Sequence, residues 1–294
     1  MTDLDLLGDV RVQSLLDIDP DLGADIPDDE RSAARRATSV HTITLAEGEG
    51  EILSRLGQRP DLAGFFITEG LLLREVRLDS RALPELLGPG DVVEPPVEIN
   101  TFLPVHSRMV ALAPTRLAIL GPSFARACAK WPSLLGAIER RKSAERQRVA
   151  IHGAIAQLAR VEIRLLALLW HLAGTWGRVA SDGVVVPFAL THEMLGQFVG
   201  AERPTVTLAV GQLDSEGLIA RLDDRTWLLR SGSDAWLNEE LGHAPLEPTA
   251  VARARQVRSE ARIARDEARA ARAEAAQTRR RRGELRKSPS EDVA

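Results

Sequence analysis

At 294 residues with 44% hydrophobic content, the chain is long enough for two compact domains plus extensions, and one core rarely serves that length. Its longest apolar stretch, Leu165 to Ala173, falls far short of the roughly 20 residues of a bilayer span, and the acidic Met1 to Pro20 segment lacks a signal peptide's basic-then-apolar layout, so a cytoplasmic protein without membrane association is expected. The single cysteine, Cys128, excludes an internal disulfide and a Cys-rich zinc or iron–sulfur site, while the net charge of −4 conceals opposite ends: Asp-rich from Asp3 to Glu30, Arg-rich from Arg253 to Lys287.

Residues 1–32 show scattered leucines and no sustained period, which predicts an acidic flexible arm. Residues 33–125 hold short β-type runs: Val40 to Leu45, Phe65 to Thr68, Leu71 to Leu78, Asp91 to Val93, Met109 to Leu112 and Leu117 to Leu120. Glycine and proline separate them about as often as an antiparallel barrel or jelly roll needs corners. Residues 126–160 predict a long helix, since little between Ser133 and Gln157 must stop one. Its apolar positions are helical in period at the ends but sparse across Glu139 to Arg148, so spacing alone establishes no coiled-coil seam.

A second domain is expected at 161–235. Val161 to Ala173 is apolar nearly all round, as a helix buried on several sides must be. Asp182-Gly183, between Val179-Ala180 and Val184-Val185-Val186, is a hairpin signal. Thr191 to Gly200 then reads as a short helix with Thr191 as N-cap, Glu193 in the first turn and a left-handed Gly200 at its end. The next helix opens at Arg203-Pro204, where proline's missing N–H costs nothing, and closes at Gly217. Within it Val206, Val210 and Leu213 share a face, with Arg203, Thr207, Gly211 and Leu208 directed elsewhere. Leu218 to Leu222 and Thr226 to Leu229 complete a two-stranded wing. Two short helices across a glycine-containing turn, the second opened by a basic residue, suit insertion into a major groove; an ordinary α-hairpin in a core has the same pattern.

The run from Leu190 to Ile219 resembles the winged helix-turn-helix of the Crp-Fnr regulators, the cyclic-AMP receptor family, in spacing and at most signature positions. The β half resembles that family's cyclic-nucleotide-binding jelly roll at Gly70-Leu-Leu-Leu-Arg-Glu-Val76 and Leu86-Leu-Gly-Pro-Gly-Asp-Val92. The resemblance implies an α+β fold: an N-terminal antiparallel β jelly roll, a long dimerisation helix and a C-terminal winged helix-turn-helix. It further implies a homodimeric transcription regulator on a palindromic site of double-stranded DNA, with a small-molecule effector and RNA polymerase as further candidate partners. By the same resemblance Arg203 lies on a guanine, Thr191 and Thr205 contact or flank phosphate, and His192 is a candidate of the same kind; Thr207 is a DNA-binding candidate from its place on the second helix's outward face. Pro204 and Leu208 replace an acidic and a basic base-reading residue of the best-known members, so the operator does not transfer.

The family's Gly-Glu pair and Arg-Ser or Arg-Thr step for the nucleotide are missing: Glu94-Pro95-Pro96 follows the Gly90-Asp91 turn, and Val105-His106 stands where the arginine step belongs. Control by cyclic AMP is therefore not expected and no cofactor is assigned, with Arg108 or His106 either substituting for the arginine or standing as solvated charges. His41, His106, Cys128 and His152 are the available axial ligands for a haem, each also readable as an ordinary surface or core residue. No nucleophile elbow, phosphate loop or zinc-protease helix is present, which points away from an enzyme. The Arg/Ala-rich segment 245–294 reads as a solvated helix or tail, as a phosphate grip through Arg279 to Arg282, or as a partner for the acidic arm. The alternative to a DNA reader is a ligand-sensing or protein-interaction module whose winged helix does not read DNA specifically.

Overall fold

The computed structural model describes residues 11–53, 59, 61–78, 81–94, 102–103 and 105–242. The first ten residues, Pro95 and Pro96, and the Arg/Ala-rich tail lie outside the described residues. The chain divides into two compact units, residues 1–168 with 190–211 and residues 169–189 with 212–294.

In the first unit, β1 (Arg11–Ser14), α1 (Leu15–Ile18), a 3-10 turn (Pro20–Gly23) and α2 (Arg31–Ala37) precede the strands β2 (Ser39–Leu45), β3 (Gly64–Leu78), β4 (Arg81–Leu87), β5 (Val92–Val93) and β6 (Val105–Leu120). All pair antiparallel in the order β1-β2-β6-β3-β4, with β5 on β3. The sequence pattern suggested two short runs in place of each of β3 and β6 because the strands change register between Ile67 and Leu72. There Gly70, at φ 92°, turns the chain so close to β6 that a Cβ would sit 2.5 Å from the Pro114 carbonyl oxygen. Thr115 satisfies the irregularity: its hydroxyl accepts the Leu71 N–H at 3.0 Å and donates to the Ala113 carbonyl at 2.7 Å. β4 was anticipated only at Leu86-Leu87, through the resemblance, because Pro84 and Glu85 interrupt its apolar run.

Side chains alternate between two cores, as strand pleating requires. Phe65, Ile67, Val93 and Leu117 join Ile43, Leu45, Leu53, Leu72, Leu87 and Ala111 on one side. Phe66, Val92, Ala118 and Leu120 face the other way, onto a helical layer. That layer contains α3 (Pro122–Lys130) and the start of α4 (Pro132–Ile155), contributing Phe124, Trp131, Leu134 and Ile138. It also contains the segment expected to be a flexible arm. From residue 11 onward that expectation is corrected: Leu15, Leu16, Leu22 and Ile26 are buried in the same core. The aspartates that made the segment look unfoldable point outward to cations, Asp17 to Arg35 at 2.7 Å, Asp19 to Arg141 at 2.6 Å and Asp25 to Arg140 at 3.2 Å. The acidic segment thus pairs with α2 and α4.

α4 is the long helix expected. Its inward positions recur every three or four residues from Leu134 through Ile138, and the same stripe continues through Arg141, Glu145, Arg148 and His152 to Ile155. In the middle the stripe is charged. Arg74 on β3 reaches Glu85 on β4 at 2.5 Å and Glu145 on α4 at 2.6 Å, and Arg148 meets Asp91 at 2.5 Å. Lys142 adds Glu94 at 3.0 Å.

α5 (Val161–Trp176) leads to the second unit's sheet of β7 (Arg178–Ala180), β8 (Gly183–Val186), β9 (Ile219–Arg221) and β10 (Trp227–Arg230), ordered β7-β8-β10-β9. The hairpin at Asp182-Gly183 and the wing are therefore one sheet, since β8 pairs with β10 as well as with β7. Trp227 is fully buried, Arg221 lies over its ring at 5.3 Å, and Trp176 meets Phe188 edge-on at 5.3 Å. A helix from Ser233 to Glu240, not anticipated from sequence, follows.

Burial is the main influence on Glu145: it pushes the carboxyl up to about 7, against the pull of Arg74 and with a further push from Glu85. Burial raises Glu85 and Asp91 too, opposed by Arg74 and Arg148 respectively. A carboxyl raised in the folded state contributes its stability fully below the unfolded pKa, near 4.5, and loses it as pH climbs toward about 7. Glu145→Gln, which cannot ionise, should therefore flatten the fall of Tm across that window when melts are recorded from pH 4.5 to 8; unchanged slopes would mean that Glu145 is not taking up the proton.

Candidate nucleic-acid interface

The helices α6 (His192–Val199) and α7 (Arg203–Ser215) follow from local chemistry. Thr191 caps α6, its hydroxyl oxygen accepting the Met194 N–H at 3.2 Å, and Glu193 sits in the first turn, where a negative charge favours the helix dipole. Gly200 ends α6 at φ 64°, ψ 38°, as expected from a left-handed cap. The turn is tight because Gly196, buried, leaves room for it: a Cβ there would lie 2.5 Å from the Ala201 carbonyl oxygen. The Ala201 N–H instead donates to Gly196 O at 2.9 Å. α7 opens at Arg203 with Pro204 second, and the Val206 N–H donates to Glu202 O at 3.0 Å.

α7 buries Val206, Ala209 and Leu213, with Val210 only half-buried, so the inward face is centred nearer Ala209 than the spacing suggested. Arg203, Pro204, Thr205, Thr207 and Leu208 are exposed, as is Thr191 at the head of α6, while His192 is half-buried. Six of these seven positions therefore lie on accessible surface of one helix pair. His192 and Thr207 are also joined to each other. The Thr207 hydroxyl donates to the Arg203 carbonyl at 3.0 Å, which uses its one hydrogen, so at 3.0 Å from His192 Nδ1 it accepts and that ring nitrogen carries the proton. The pair braces α6 against the first turn of α7.

The far end of α6 is held from α4 and α5. His152 Nε2 donates to the Phe198 carbonyl at 2.8 Å and its ring lies 5.1 Å from that of Phe198. Burial pushes this imidazole's pKa down and so favours the neutral ring, opposed by the Phe198 hydrogen bond. Arg164 donates to the Val199 carbonyl at 2.7 Å. Together they satisfy carbonyls that a helix end leaves without intrahelical partners. Sequence reasoning missed both anchors. Arg164 was visible as the charge inside an apolar helix, and His152 was weighed as a haem ligand or an ordinary surface or core residue, with no partner assigned.

The other ligand candidates sit on separate elements, His41 on β2 and His106 on β6, both exposed, and Cys128, half-buried, on α3. Arg108 gives its guanidinium to Glu75, which is almost fully buried, so the arginine considered for a cyclic phosphate is committed to a carboxylate. Among the described residues no group of three or more His, Cys, Asp or Glu could hold a metal, and no helix is long and apolar enough to cross a membrane.

Residues 163–231 match the family model of the Crp-like helix-turn-helix domain. Comparison with curated proteins gives no match. Among solved structures the chain is similar to a mutant of CooA from Carboxydothermus hydrogenoformans, with a TM-score of 0.54 and 13% identity over 74% of this chain and 94% of that one. It is similar to the cyclic nucleotide-binding domain containing protein from Listeria monocytogenes EGD-e, with a TM-score of 0.53 and 14% identity over 66% and 89% of the two chains. FixK2 from Bradyrhizobium japonicum gives a TM-score of 0.51 and 15% identity over 70% and 98%. These likenesses establish a shared fold.

Two glycines of the helix pair should respond oppositely to alanine. Gly196→Ala forces backbone apart at the turn and should cost about 1–3 kcal/mol in urea unfolding. Gly211→Ala adds a Cβ that meets nothing within 4 Å and should be neutral or stabilising by up to about 1 kcal/mol.

Proposed function

We propose that this chain, whose residues 163–231 match the Crp-like helix-turn-helix domain, is a sequence-specific DNA-binding transcription regulator acting as a homodimer on a palindromic site. The observation that carries the reading is the exposed N-terminal half of α7, opened by an exposed Arg203 and fixed by the Gly196 turn and the His192–Thr207 brace. A helix so held can enter a major groove as a rigid body, and an arginine at its start can offer two parallel donors to guanine O6 and N7. Thr205 on α7 and Thr191 at the head of α6 are placed for phosphate, which sets register without reading sequence. Thr207 and His192 serve mainly to position α7.

Supporting a second copy, α4 exposes Leu135 and Ile151 at 52% and 41% of their surface, apolar area that pairing along the helix would cover. Regulation by cyclic AMP is not part of the proposal, because Arg108 is committed to Glu75 and Arg74 to Glu85 and Glu145. Selection of duplexes from a random pool should return a palindrome whose half-sites are about one helical turn, roughly 34–36 Å, apart or a multiple of it. Arg203→Ala should weaken the selected site by about 1–3 kcal/mol and relax one base pair in each half-site, while leaving binding to random DNA little changed. If no duplex outcompetes random DNA, the chain is not a sequence-specific reader.

A further inference from the structure

α7 has an unusual centre to its exposed face. At about 100° per residue, the arc opposite Val206, Ala209 and Leu213 is taken by Pro204, Leu208 and Gly211, with Thr207 beside them. Arg203 and Thr205 lie toward the two edges of that arc. Leu208 is 76% exposed, and Pro204 sits one turn before it on the same side. A Cβ on Gly211 would meet nothing within 4 Å, so the helix surface continues bare beyond Leu208. Both hydroxyls in the arc are already engaged, that of Thr207 by the Arg203 carbonyl and His192 and that of Ser215, at the far end of the helix, by the Gln212 carbonyl at 2.8 Å. The middle of the face therefore presents carbon where a base-reading helix ordinarily presents donors and acceptors.

We infer that Pro204 and Leu208 form an apolar stripe that reads the 5-methyl groups of thymine in the major groove, placing A·T pairs beside the base pair read by Arg203. The inference rests on α7 being the reading helix. In the major groove the thymine methyl is the one apolar feature of the natural base edges, and contact with a carbon side chain is how it is distinguished. A polar base edge pressed against this stripe would lose water without gaining a partner, which selects against G·C at the same positions. The spacing fits as well: residues four apart in a helix are separated by about 6 Å along its axis, near two base-pair steps of about 3.4 Å. The bare surface at Gly211 allows the helix to approach closely enough for methyl contact.

The test uses the full chain and the duplex it selects, with each thymine of a half-site replaced in turn by deoxyuridine, which differs only by the methyl. At one or two positions per half-site, affinity should fall about fourfold for each methyl removed, the effect of burying one methyl-sized apolar group. Leu208→Ala, an exposed change that leaves the fold alone, should bind thymine and uracil duplexes equally at one of those positions. Arg203→Ala should remain sensitive to uracil. Specific, Arg203-dependent binding with no position sensitive to uracil would overturn the stripe and leave the proposed function standing, as would full uracil sensitivity in Leu208→Ala. Absence of any selected duplex would remove both.

Discussion

The first unit depends on a single constraint, that α4 must bury one continuous face although the middle of that face is charged. A charge taken out of water is tolerated only when paired and hydrogen-bonded, and each cation here finds its anion on a different element. Arg74 crosses from β3 to β4 and to α4, Arg148 fastens α4 to the turn before β5, and Arg141 fastens it to the N-terminal layer through Asp19. Removing one member would strand another in low dielectric, so register between sheet and helix is specified by charge where leucines would have allowed sliding. The same face ends at His152, on the Phe198 carbonyl of α6. One helix surface thus touches the sheet at Glu145 and Arg148 and the helix pair a few residues later.

That arrangement explains what could be read from sequence. The runs Val40 to Leu45 and Leu71 to Leu78, the aspartate–glycine hairpin and both helices of the pair were legible because their signals are local: strand alternation, a turn dipeptide, a capping threonine and a terminal glycine. The inward stripe of α4 was not, because hydrophobic periodicity cannot see a face built from Arg141, Glu145, Arg148 and His152. The N-terminal layer failed for the complementary reason. Its aspartates signalled disorder when counted along the chain, but Asp19 and Asp25 have their partners in arginines more than a hundred residues away, and four buried apolar residues, Leu15, Leu16, Leu22 and Ile26, suffice once a helical layer is there to receive them.

For the helix pair, sequence located the residues and structure sorted them. Thr191 does cap α6, and Arg203 does open α7 on exposed surface. Thr207, set beside Arg203 by helical spacing, and His192, by likeness, turn out to hydrogen-bond each other, a division of labour invisible without coordinates. The reverse holds for Pro204 and Leu208, whose departure from a familiar pattern looked like loss. On the folded helix they stand together in the middle of the solvent face.

The Asp19–Arg141 contact spans 122 residues and the Trp131–Glu30 hydrogen bond 101. On the ribosome, where the chain emerges from its amino end, the N-terminal layer therefore waits, with Leu15, Leu16 and Leu22 uncovered, until α3 and α4 have been made. A segment made well before its partners closes late, and during that interval its leucines are open to a chaperone.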